Sequence, residues 1–216
     1  MKRIAFGLLW LALIAEIGWT ILNAAVLHQT PGLDLVGGVV TAYFVGFAAL
    51  RSRWRWMAVV ARLLMAIDFL LSVGDRFGLF GPAGSPGVSW GDFANFVTYT
   101  HQVNAFLPLS FAPVLAVLAT TAEIVLGTAL LIGLRTRLAA LGAAGLTLLY
   151  GTAMTLSGMI AGQFHYTVFV LCTAMLALAT VDSGALSVDA LVRRLWRSGS
   201  TPSLKRSAGA SRGSLR

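Results

Sequence analysis

Four ionisable side chains stand inside long apolar stretches of this sequence: Glu16, Arg62, Asp68 and Glu123. A charge at the centre of a spanning helix costs roughly 2.5–3.5 kcal/mol unless it is paired, so each one marks either a structural pair or a functional site. At about 1.5 Å of rise per residue, counted from the nearest arginines, Glu16 and Asp68 lie roughly 20 Å deep, Glu123 roughly 16 Å and Arg62 roughly 10 Å. Three carboxylates therefore gather near one level, with one cation a little below them. Arg62 is long enough to meet Glu123 if their helices touch. Such a group in a dry interior suits proton handling, or the binding of a small polar headgroup. A structural reading competes with both: an Arg62–Glu123 pair, with the remaining acids hydrogen-bonded between helices.

Other reactive residue types say less. His28, His101 and His165, with Asp34, Asp75 and Asp92, fall in connections on one side of the chain and raise the question of a metal or haem site there. No two histidines have ligand spacing on one helix, so they read as interfacial residues and no metal is expected. Cys172 is the one cysteine. It excludes an internal disulfide and dithiol chemistry, and it reads as a small apolar residue in a helix.

The elements that must position these groups follow from composition. Of 216 residues, 57% are apolar and 11% charged, whereas a soluble domain is nearer 45–50% and about 25%. Apolar runs occur at about 4–27, 35–50, 57–74, 111–134, 138–159 and 164–181. Lipid offers no partner for backbone N–H and C=O groups, so these runs are expected to be helices. Lys2 and Arg3, Arg51, Arg53 and Arg55, Arg135 and Arg137, and the cations from Arg193 to Arg216 all fall on one side of a six-span topology, and the opposite connections hold only Arg76. The expectation is six spans with both termini in the cytoplasm. The net charge of +8, distributed this way, addresses a bilayer and not nucleic acid. Glu16 and the lack of a small-x-small site argue against a cleaved signal peptide.

Finer patterning adds three expectations. Ala140, Ala144, Thr147, Gly151, Thr155 and Gly158 form one small-residue stripe, suited to close helix approach. Ala12, Glu16, Thr20 and Asn23 share one helix face, and Asp68, Ser72 and Asp75 share another; both faces should avoid lipid. In the segment 75–110, Ser89 and Asp92 offer caps for a short surface helix at about 90–105, with Trp90 and Tyr99 at headgroup level. The tail 193–216 is basic and Ser/Gly-rich, and reads as disordered and drawn to anionic lipid.

The stretch Ala122-Glu123 through Gly127, Leu130-Leu131, Gly133 and Arg135-Thr136-Arg137 resembles the signature of DoxX-type membrane proteins: a glutamate, Gly-x-Leu-Leu-x-x-Gly, then an arginine turn into the next helix. Arg62 opens the resembling region, Gly74 stands near the end of that helix, and Gly184-Ala-Leu-Ser187-Val-Asp189 is similar to the family's ending. The likeness spans about 57–192. The family's lysine after its glycine is out of register here, where Asp75-Arg76 stands. The family usually has four helices, so residues 1–54 add two.

The apolar runs and the resemblance together lead to the expectation of an all-α membrane protein of six transmembrane helices, four of them the DoxX-like bundle. It consists of two N-terminal helices at 1–54, a DoxX-like four-helix bundle at 55–192 with the loop 75–110, and the tail. The resemblance also implies a bacterial inner membrane and a subunit or accessory factor of a quinone-linked oxidoreductase system, working with a redox partner subunit. In that reading Arg62 and Glu123 bind or protonate a quinone headgroup, and Asp68 and Glu16 supply the proton path. The sequence carries no flavin or dinucleotide fingerprint, so a redox centre comes from a partner or from diffusing quinone. A non-enzymatic scaffold or assembly factor, and a small proton-coupled transporter, are the alternatives.

Overall fold

The structure is a computed structural model that describes residues 1–26, 35–50, 55–181 and 187–199. Within those residues every regular element is helical: α1 Lys2–Ile21, α2 Leu35–Ala49, α3 Arg55–Arg76, α4 Phe93–Val103, α5 Ala112–Ile132, α6 Thr136–Leu156, α7 Ile160–His165, α8 Val168–Leu178 and α9 Val188–Gly199. His28, Asp34, Arg51, Arg53, Gly184 and the tail beyond Gly199 lie outside the described residues. Helix α9 runs through 193–199, where the sequence suggested disorder.

Among the described residues four helices are long and apolar enough to cross a membrane: Lys2–Ala25, Trp56–Arg76, Leu109–Ile132 and Thr136–Leu156. Four such helices make this a multi-pass membrane protein, against the six spans expected from the sequence. The remaining apolar stretches, Gly37–Ala49 and Val168–Leu178, are shorter helices. At about 1.5 Å per residue neither covers the roughly 30 Å of hydrocarbon alone. The expected run at 164–181 is interrupted because Thr167 takes a left-handed conformation, φ 48°, which ends α7 and restarts the chain as α8.

One apolar core joins the long helices, α2 and α8. Phe6, Leu9 and Leu13 of α1, Phe44 and Phe47 of α2, and Met65, Ala66 and Phe69 of α3 meet Val170, Ala174, Met175 and Leu178 of α8. Helix α8 is buried along most of its length between α1 and α6. The N-terminal helices thus pack directly on the rest of the bundle.

The small-residue stripe of α6 does what its spacing suggests. Ala140, Ala144, Thr147 and Gly151 are buried against α8. A Cβ at Gly151 would stand 2.8 Å from Phe169 Cε1, and Cys172 Sγ approaches Ala144 O at 3.3 Å. The stripe ends before Gly158, which follows the helix with φ 73°.

The two ends of the bundle differ. At the proximal end Gly133 closes α5 in the left-handed region, φ 70°, where a residue without Cβ is favoured. At the distal end the segment after α3 forms a cap. Asp92 caps α4 by accepting from Asn95 N at 2.7 Å, and Ser157 Oγ donates to Val103 O at 2.6 Å, tying α4 to the end of α6.

Candidate functional site

Asp75 and Arg76 close the last turn of α3, and their side chains diverge. The buried Asp75 carboxylate accepts from Ser89 N (2.9 Å), Trp90 N (3.0 Å) and Gly91 N (3.3 Å). It thereby takes up three backbone donors of the cap, which explains how an irregular loop keeps its amides satisfied. Asp75 is thus engaged in structure. Among the described residues no group of three or more His, Cys, Asp or Glu side chains is placed to hold a metal ion.

Arg76 turns the other way, into the bundle. A helical side chain points toward the N-terminus of its own helix, so an arginine in the final turn of α3 reaches back between α3 and α5. Its Nη1 donates to Thr120 Oγ1 at 3.0 Å, and its Nη2 donates to Glu123 Oε1 at 2.9 Å and stands 2.7 Å from Oε2. Tyr150 of α6 donates its hydroxyl to the same Oε1 at 2.6 Å. Arg76 and Glu123 are 3% and 2% exposed. The guanidinium carbon lies 3.7 Å from the Phe96 ring centroid and 5.2 Å from that of Trp90, so two aromatic faces of the cap cover the cation.

Two polar atoms of this cluster lack a hydrogen bond, and one of them is held by the ion pair alone. Arg76 Nε and Glu123 Oε2 are buried without a hydrogen-bond partner; the Oε2 contact with Nη2 is close but outside hydrogen-bond geometry.

The structure separates residues that the sequence placed together. Glu123 pairs with Arg76 and not with Arg62. Arg62 is buried at the proximal end, where its Nη1 lies against Gly133 and the charge facing it is Asp189. The reason is reach: Arg62 sits near the start of α3 and its side chain also points back, away from Glu123. Asp68 lies within electrostatic reach of Glu123, yet its side chain is exposed on the bundle surface beside the exposed Ile67 and Leu71. The face Asp68–Ser72–Asp75 therefore runs from the surface to the interior and is not wholly enclosed. Glu16 is buried on α1 with Oε1 lacking a hydrogen bond, and no hydrogen bond or ion pair joins it to the Arg76–Glu123–Tyr150 cluster. Thr20 and Asn23, on the same face, bond to α1's own carbonyls.

Sequence reasoning passed over Arg76, Thr120 and Tyr150 as site residues, and it set Trp90 at headgroup level instead of over Arg76. Arg76 was counted with the connection that follows it. Its signal was present as the sole cation among the distal connections, one turn beyond a polar helix face.

Residues 57–156 match the family model of DoxX. No curated protein and no solved structure matches the chain.

Proposed function

We propose that this membrane protein, DoxX-like over residues 57–156, is a membrane subunit or accessory factor of a quinone-linked oxidoreductase system, with Arg76, Glu123 and Tyr150 as its headgroup site. The observation that carries the reading is the Tyr150–Glu123–Arg76 chain, its ion pair buried and roofed by Trp90 and Phe96, with an unpartnered donor at Arg76 Nε. These residues fit a flat ring bearing two carbonyl oxygens. Arg76 Nε offers a hydrogen-bond donor to a carbonyl oxygen, and Tyr150 would reach a ligand only by giving up its bond to Glu123. A quinone supplies two-electron, two-proton redox chemistry that no side chain here supplies.

The chain's own part is to bind and to move protons. Glu123 accepts from Tyr150 and Arg76 together, which fixes its carboxylate against α3 and α6. Asp68, exposed on the bundle surface and within reach of Glu123's charge, is the group a ligand arriving through the bilayer meets first. In this reading Arg62 is structural and Glu16 lies off the path. Both termini face the cytoplasm of a bacterial inner membrane, which the arginines of the proximal end favour.

The test is purification in mild detergent with mass spectrometry for bound quinone, repeated on Tyr150→Phe and Glu123→Gln. Tyr150→Phe removes one hydroxyl and leaves the ring and the Arg76–Glu123 pair. Quinone held by the parent and lost from folded Tyr150→Phe supports the site. A quinone-free parent, or equal retention in both variants, sinks it.

A second reading, a non-enzymatic scaffold or assembly factor, is favoured by one observation. Asp75 binds three consecutive amides of the cap, which pre-forms a rigid surface at 82–103. A partner that co-purifies at stoichiometric level and is lost on Asp75→Ala supports it.

A further inference from the structure

Helix α9 is joined to the bundle at its first turn. Asp189 N donates to Gly133 O at 3.2 Å, and the Asp189 carboxylate accepts from Arg135 N at 2.8 Å, Thr136 N at 2.9 Å and Thr136 Oγ1 at 3.2 Å. Ser187 Oγ accepts from Ala190 N at 3.1 Å and caps the helix. These bonds seat the start of α9 beside the α5–α6 turn, level with the first turn of α6. Exposed Arg135 and Arg137 ring that level, and exposed Leu134 and Leu138 flank it.

Beyond this anchor an apolar stripe is left uncovered. Leu191, Val192 and Leu195 are 56%, 45% and 62% exposed. Their spacing puts them within one arc of the helix, and the sequence places Arg193, Arg194 and Arg197 in the opposite arc. A helix of this kind is suited to the plane where headgroups meet acyl chains. Its anchor holds it at the end of the bundle where the spanning helices α5 and α6 turn, which is that plane.

We propose that α9 lies in the headgroup layer of an anionic leaflet. Its Leu191–Val192–Leu195 stripe enters the acyl boundary, its arginine arc is set toward lipid phosphates, and Asp189 is the pin that fixes it to the α5–α6 turn. The occupant follows from charge complementarity. A cationic arc beside a ring of exposed arginines selects an anionic surface, and the depth of the apolar stripe selects a bilayer over a soluble anion.

The experiment uses the full chain with Cys172→Ala and a single nitroxide label at L191C or L195C. It is reconstituted in phosphatidylcholine nanodiscs, or with a third of the lipid replaced by phosphatidylglycerol. Relaxation by oxygen and by a water-soluble nickel chelate reports what surrounds the label. The expected result in anionic discs is strong oxygen relaxation and shielding from nickel, with nickel access rising in zwitterionic discs. R193Q/R194Q/R197Q, with unchanged thermal unfolding, should restore nickel access in anionic discs. Each arginine removed should weaken the docked state roughly fivefold. Nickel access in both lipids overturns the proposal. So does shielding from both relaxants, which would mean that a second copy or another protein covers the stripe. Shielding that ignores lipid charge overturns the anionic selection.

Discussion

Arg76 and Glu123, 47 residues apart in sequence, share a single guanidinium nitrogen between both carboxylate oxygens, at 2.9 and 2.7 Å. The ion pair closes the α3–α5 contact from within an apolar interior. Removing one partner leaves the other charge buried, which costs about 3–5 kcal/mol. Glu123→Leu and Arg76→Met should each lower the unfolding temperature in mild detergent markedly, and the double variant should recover most of the loss. A double variant as unstable as the singles would show that the pair is not an isolated unit.

Asp75 gives a separate prediction at the distal cap. Asparagine keeps one acceptor oxygen where the carboxylate had two, and three amides compete for it. Asp75→Asn should cost about 1–3 kcal/mol and speed protease cleavage within 82–91, read by mass spectrometry of the fragments. Unchanged cleavage would mean that the loop is held by its aromatic contacts instead.

Gly133 is the proximal counterpart. Its φ is 70°, and an added Cβ would collide with Arg62 Nη1 and come within 2.9 Å of Ser187 Cα. Gly133→Ala should destabilise by about 2 kcal/mol or more, combining left-handed strain with overlap. The comparison is Gly145→Ala, at a position with open space, which should unfold at the parent's temperature.

The Tyr99 phenol answers to pH. Burial, and then the neighbouring Tyr166 hydroxyl, push it up from its ordinary value of 10.0. The folded state therefore holds the proton where the unfolded chain has released it. The resulting stability is fully present below pH of about 10 and declines as the pH rises beyond it. Thermal unfolding followed from neutral pH upward should fall more steeply for the parent than for Tyr99→Phe; parallel curves would contradict this.

Legibility in the sequence followed physical locality. The α6 stripe was readable because small residues at spacings of three and four can lie only on one helix face. Helix α4 was readable because Asp92 is a cap whose chemistry is local. Arg76 was misplaced because its Cα belongs to the end of α3 while its guanidinium turns into the bundle toward α5, a direction that residue counting does not carry. The same oversight paired Glu123 with Arg62. The break at Thr167 had no glycine or proline to announce it, so the last apolar run looked continuous. Asp68 shared a face with Asp75, but a face that wraps from surface to interior gives its residues different neighbours.

The dipeptide Asp75-Arg76 has a mechanical consequence. Rotating the end of α3 moves both side chains at once, so the cap amides at 89–91 and the carboxylate at Glu123 are geared through one rigid turn of helix. Anything that pulls on the cap works against the buried pair, and any change in the charge of Glu123 is felt by the cap. By reciprocity of linkage, a partner that docks on the cap and shifts this turn must alter proton affinity at Glu123, and protonation there must alter the partner's affinity by the same factor.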